Sequence, residues 1–245
     1  MTLVPNQITP LSHGDLIHSL RGGYLLKWHQ EPRPFELATY YGQCLEENGA
    51  HLQYLHNNCL GNVKAGPKWT GLVTMYECGE TVDNAAEAAR VRAMAAPELC
   101  DLHPQPSGKV QLVLRPPHPW TKFRAFETAE EGAAAYLELF TWSRYAQAAL
   151  RARAGDPVGF VLACKAAGYF TAPDVHAYAS AVASIAAHAL AACTQELDLA
   201  WIADAPPPVI DDATREHVEG LVALDLASYT WDETRNDTEP APAVA

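Results

Sequence analysis

The sequence predicts a mainly α-helical α+β domain carrying a small β-hairpin lobe. Three observations predict it. Helix signals dominate: a capping box at Thr128-Ala-Glu-Glu131, an Asp156-Pro157 start, and an apolar stripe of Tyr178, Val182, Ile185, Ala189, Cys193 and Leu197. Strand character is confined to Trp69–Tyr76 and Val110–Leu114, which are rich in β-branched and aromatic residues. A chain of 245 residues with 49% hydrophobic and 19% charged residues can bury a proper core.

The elements follow in order. Residues 1–12 read as a loose lead-in. Residues 13–30 read as helix to about Trp28, before Pro32 and Pro34 interrupt it. A second helix runs from Phe35 to about Asn48, and Gly49 is placed to stop it. Glu47 lies seven residues after Tyr40 and three after Cys44, on their apolar face, which points it at the protein body. Glu46 falls with Thr39, Gly42 and Gln43 and is expected to face water.

After the strand that begins at Trp69, Cys78-Gly-Glu80 reads as a bend and Ala85–Ala96 as a short helix. Residues 101–108 read as a Pro/Gly/Ser loop, Val110–Leu114 as a strand, and Arg115-Pro-Pro-His-Pro-Trp120 as a stiff connector. Gly168 ends the Asp156 helix. The last long helix begins near Pro173 and carries Trp201 in its final turn. Pro206-Pro-Pro208 is a break. These signals divide the chain into a main domain over 1–205 with no second core, an appendage helix over 206–231, and a polar tail over 232–245.

Composition narrows the function classes. A net charge of -12 and an acidic pI would repel nucleic-acid phosphates. No apolar run reads as long enough to span a bilayer, the closest being Ala177–Ala192, and the N-terminus shows no basic-then-apolar leader. The six cysteines (Cys44, Cys59, Cys78, Cys100, Cys164, Cys193) have no zinc spacing and read mainly as small buried groups, with one disulfide among Cys44, Cys59 and Cys78 left open. Nucleophile-elbow, metalloprotease, P-loop and dinucleotide patterns do not occur, and no cofactor is expected.

Three blocks carry a resemblance: Gln43-Cys-Leu-Glu-Glu-Asn-Gly49, Asn57-Asn-Cys-Leu-Gly-Asn-Val-Lys-Ala65, and Ala167-Gly-Tyr-Phe-Thr-Ala-Pro-Asp174. In this order, with Trp69 opening the hairpin and Phe123-Arg-Ala-Phe126 before the capped helix, they resemble the glucosaminidase family of peptidoglycan hydrolases (glycoside hydrolase family 73). The resemblance covers roughly residues 16–190. It departs from the family pattern at Ala50 and His51 and in the long segment 83–110.

The resemblance implies a lysozyme-like domain that binds a peptidoglycan glycan strand and cuts it after N-acetylglucosamine. Glu47 would be the general acid. The second carboxylate would be Glu80, preferred because it follows the Cys-Gly bend, or Glu77. Tyr169 would line the cleft beside the acid, Trp69 would stack on a sugar, and Asn58 would stand at the substrate side or hold its own turn. Three alternatives stay open: a lytic transglycosylase, which needs one acid, a glycan-binding module, and a virion structural module. With no leader in view, the expected place of action is the bacterial cell wall, reached as part of a bacteriophage virion or through a dedicated export machine.

Overall fold

The computed structural model describes residues 1–49, 51–170 and 174–197. Trp201, the appendage helix and the tail lie outside the described residues.

Helix α1 spans His13–Trp28 and starts at a capping box in which Ser12 and Asp15 satisfy each other's backbone amides. Helix α2 spans Pro34–Glu47, with proline in its first turn, where a missing N–H costs nothing. Gly49 follows at φ 63°, the left-handed conformation that ends a helix without Cβ strain. Strand β2 is Leu72–Met75, β3 is Cys78–Val82, and helix α3 is Ala85–Arg92. Strands β4 (Cys100–Pro104), β5 (Val110–Leu114) and β6 (Lys122–Ala125) precede helix α4, Ala129–Glu138, which the Thr128 capping box starts as expected. Helices α5 (Ala146–Arg153), α6 (Pro157–Ala166) and α7 (Val175–Glu196) complete the described chain.

The main core joins α1, α2, α4, α5, α6 and α7 around Leu16, Tyr24, Tyr40, Tyr136, Phe160 and Val182, each at most 2% exposed. α7 packs along α2, and Val182, Ile185, Ala189, Cys193 and Leu197 of its stripe are buried. Contrary to the sequence expectation about membrane spans, α7 is long and apolar enough to cross a bilayer by length and composition. Half of its apolar window is covered by the rest of the protein, as in a core helix.

Three sequence expectations are corrected. The lead-in contains a strand, β1 (Thr2–Leu3), parallel to β2, which in turn pairs antiparallel with β6. The Cys78-Gly-Glu80 bend is the start of strand β3, and the 101–108 loop contains most of β4. Both pair antiparallel with β5, in the order β3-β5-β4. Here long-range pairing overrides local turn chemistry: Gly79 sits opposite Val113, and Pro104 closes an edge strand, where a missing N–H is tolerated.

The lobe therefore exceeds a hairpin and, against the expectation of no second core, has its own small core, formed by Val82, Ala88, Val91, Cys100, Val110, Leu112 and Leu114. His118, fully buried, ties this lobe to its connector. Its Nδ1 accepts from the Trp120 amide, so Nε2 donates to the Val91 carbonyl at 3.1 Å.

All six cysteines are free thiols, so no disulfide links Cys44, Cys59 and Cys78.

Candidate active site

Glu47 sits in the last turn of α2 and is 5% exposed. Its helical neighbours Tyr40 and Cys44 are also buried, so the helical spacing that aimed Glu47 inward matches its environment. Burial pushes the Glu47 carboxyl up to about 8, because a charge out of water is costly, and repulsion from Glu46 adds to the rise. Contacts to Gln43 and Tyr169 work against it by favouring the ionised form.

The side-chain amide of Gln43, one turn earlier and fully buried, donates to Glu47 Oε1 at 2.8 Å and to the Tyr178 hydroxyl of α7 at 2.8 Å. Glu47 Oε2, Gln43 Oε1 and the Tyr136 hydroxyl are buried with no hydrogen-bond partner among the described residues. Gly61 explains how Oε2 is reached so closely. It holds φ 71°, and a Cβ there would strike the Tyr136 ring and come within 2.9 Å of Glu47 Oε2.

Glu46 is corrected. It is only partly exposed, and burial pushes its carboxyl up to about 7. The polar face assigned to it is covered: Thr39, Gly42 and Gln43 are all buried, and Gly42 abuts the backbone of α7 at Val182. A helix wheel cannot show that a later helix covers the polar side as well.

The asparagine block holds the backbone around this acid. Asn62, in the left-handed region at φ 46°, donates to the Glu47 carbonyl at 3.0 Å and accepts from the Tyr76 hydroxyl at 2.7 Å. Tyr76 in turn stacks on Phe123, with centroids 4.0 Å apart, and on His56. The end of α2 is thereby tied to the junction between β2 and β3. Asn58 donates to the carbonyls of Phe126 and Glu127, so its amide clamps the chain entering α4. Asn57 does the same for the N-terminal segment through Pro5 and Gln7.

Of the two candidate second acids, Glu80 has the less exposed side chain, 16% against 59% for Glu77. Glu80 pairs with Lys64 at 2.7 Å. The Lys64 ammonium also donates to the Trp120 carbonyl and lies 4.0 Å from the Phe123 ring centre, so several contacts fix it. Glu77 pairs with Arg115, which Asp101 also holds, on the lobe. Cys59 is fully buried, and burial pushes its thiol up, against the hydrogen bond from the Val63 amide.

Tyr169, partly exposed, packs between Phe140 and Tyr145 and stands beside the Glu47 carboxyl. Trp69 is engaged in packing: Arg124 lies 4.6 Å above its ring, Phe126 meets it edge-on, Gly71 abuts it, and its N–H donates to the Leu72 carbonyl. The sequence reading missed the partnership of Gln43 with Tyr178 and the pairing of Lys64 with Glu80. Only the four-residue spacing of Gln43 and Glu47 was visible there. Among the described residues no group of three His, Cys, Asp or Glu side chains is arranged to hold a metal ion.

No family model matches the chain. No curated protein matches it. A solved structure of a peptidoglycan hydrolase mutant from Sphingomonas sp. A1 is similar at 19% identity, covering 75% of this chain and 97% of that one, with a TM-score of 0.45.

Proposed function

We propose that this chain is a glycoside hydrolase that cleaves the glycan strand of peptidoglycan after N-acetylglucosamine, with Glu47 as general acid. The observation that carries the reading is the burial of the Glu47 side chain at the end of α2, with Oε2 unpartnered among the described residues; that burial pushes the carboxyl up to about 8, which favours the protonated form at neutral pH. Glycosidic cleavage needs such a proton for the leaving oxygen. The Gln43–Glu47–Gly49 spacing supplies the link to the glucosaminidase pattern, and the lysozyme-like description of the architecture belongs to the same proposal. Glu80 is the second carboxylate, activating water or stabilising positive charge, with Glu77 as its alternative. Tyr169 borders the reacting bond.

The test is clearing of purified cell-wall sacculi by the wild-type chain and by Glu47→Gln, with chemical identification of the new sugar ends. New reducing N-acetylglucosamine ends, lost in the variant, support the proposal. Full clearing by Glu47→Gln sinks the assignment.

A lytic transglycosylase, which needs one acid, is the second reading, favoured by one observation: of the three candidate acids only Glu47 is buried, with Oε2 unpartnered among the described residues. Anhydro sugar ends would select it.

A further inference from the structure

Five of the six thiols are buried, and Cys78 alone is partly exposed. It opens β3 and takes no part in the proposed cleavage. Its neighbour is an amine. The Lys64 ammonium has one N–H for each of three acceptors. They are the Glu80 carboxylate at 2.7 Å, the Trp120 carbonyl at 2.7 Å and the Cys78 sulfur at 3.4 Å. The Cys78 thiol points to the same Trp120 carbonyl, 3.8 Å away.

Both backbones are fixed. Lys64 is bridged to Phe123 of β6, and Cys78 is paired with Leu114 of β5. The nitrogen and the sulfur are therefore held together by the fold rather than by a chance meeting of two surface chains. The Lys64 side chain is 41% exposed, so a small oxidant in solution reaches the contact. Burial pushes the Cys78 thiol up, and the Lys64 ammonium works against that rise. The thiolate is the reacting form, so the reaction is slow and takes sustained oxidant.

We propose that Cys78 and Lys64 form an oxidative cross-link site, at which hydrogen peroxide makes a sulfur–nitrogen bond and so removes the Lys64 charge from Glu80. In the first step the sulfur attacks one peroxide oxygen. The O–O bond breaks, an S–O bond forms, and water leaves a sulfenic acid on Cys78. Sulfur loses two electrons and peroxide gains them. In the second step Lys64 gives a proton to Glu80, and its neutral nitrogen attacks the sulfenic sulfur. The S–N bond forms and the S–O bond breaks. The leaving hydroxide takes a second proton from the nitrogen and departs as water, and the proton on Glu80 passes to solvent. The linked nitrogen carries no charge, so Glu80 loses the cation that fixes it. This effect on Glu80 rests on the reading of Glu80 as the second carboxylate; the cross-link itself does not.

The experiment treats the full chain with hydrogen peroxide in the presence of dimedone, which captures sulfenic acids, and maps the peptides by mass spectrometry without reductant. The wild type is expected to give a linked pair joining Lys64 to Cys78, lighter than the two peptides by two hydrogens and separated by dithiothreitol. Lys64→Arg keeps a cation but cannot complete the link, so dimedone is expected on Cys78. Cys78→Ser should give neither product. Sacculus clearing by the oxidised wild type should fall by about tenfold and return on reduction, while Cys78→Ser keeps its rate through the same treatment. A dimedone adduct on wild-type Cys78 in place of the link, or an unmodified Cys78, overturns the site. A cross-link that leaves clearing unchanged overturns its effect on Glu80. A chain that clears no sacculi before oxidation overturns the glycan reading, and the masses still decide the cross-link.

Discussion

The Gln43 amide and the Glu47 carboxyl, one helical turn apart and both buried, share a 2.8 Å hydrogen bond in which Gln43 donates to Oε1. When the Glu47 carboxyl is protonated, the oxygen that accepts this N–H is its carbonyl oxygen, which leaves Oε2 to carry the proton. That oxygen faces Gly61 and has no partner among the described residues. The same Gln43 amide donates to the Tyr178 hydroxyl, so α7 helps fix the orientation of the amide that meets Glu47.

Replacing Gln43 with Met keeps the volume and removes both donated bonds. The Glu47 carboxyl should then rise further, since Gln43 favours its ionised form. Turnover should fall by about tenfold with little change in KM, and the alkaline limb of the rate profile should move upward. Stability should drop by about 1–2 kcal/mol, since the Tyr178 hydroxyl loses its partner. An unchanged pH profile would show that Gln43 only packs.

Glu47 should trade stability for chemistry. Its folded-state value, about 8, lies above the 4.5 of an ordinary glutamate. Between those values the folded chain binds more protons than the unfolded chain, so this group's contribution to stability falls as pH rises from about 4.5 and levels off above 8. Glu46, raised to about 7 by burial, slopes the same way. Glu47→Gln abolishes the Glu47 part of that slope. Its stability should match the wild type near pH 5 and exceed it at pH 9 by an amount on the order of a few kcal/mol, read as a higher melting temperature at pH 9. Activity should disappear at both pH values. Thermal scans of both proteins from pH 5 to 9 check the divergence, and parallel curves would show that Glu47 is not held neutral in the native chain.

Much of the helical frame was legible in the sequence, because caps and stripes are local. Thr128, Asp156 and Gly49 mark their helix ends in the sequence and in the structure alike. The inward aim of Glu47 was legible for the same reason, being a matter of spacing along one helix. What escaped depends on partners distant in sequence. β1 exists only because β2 lies beside it, and β4 only because β5 does. Glu46 lost its water to a covered face of α2, and no local pattern announces that. The pairing of Lys64 with Glu80 joins a loop to a strand 16 residues on, and only the closed lobe brings them together.

That pairing separates the two candidate second acids. Glu80 lies on β3 opposite Leu112, mostly buried, and is held by a lysine that is itself anchored to the Trp120 carbonyl and the Phe123 ring. A carboxylate fixed in this way keeps its position as charge develops on a sugar, which a mobile surface group does not. Glu77 is well exposed and shares Arg115 with Asp101, so its loss leaves the arginine still paired. Glu80→Gln should therefore lower turnover by roughly 100-fold or more, the usual range for a positioned acid or base, and Glu77→Gln by less than about twofold. Lys64→Met should act like a weaker Glu80 substitution, because it frees the carboxylate without removing it. Initial rates of sacculus solubilisation for the three variants decide the matter. Reversed effects at Glu80 and Glu77 would move the second acid to the turn between β2 and β3. Silence at both, with Glu47→Gln still inactive, would leave a single-acid transglycosylase, and the sugar ends should then be anhydro.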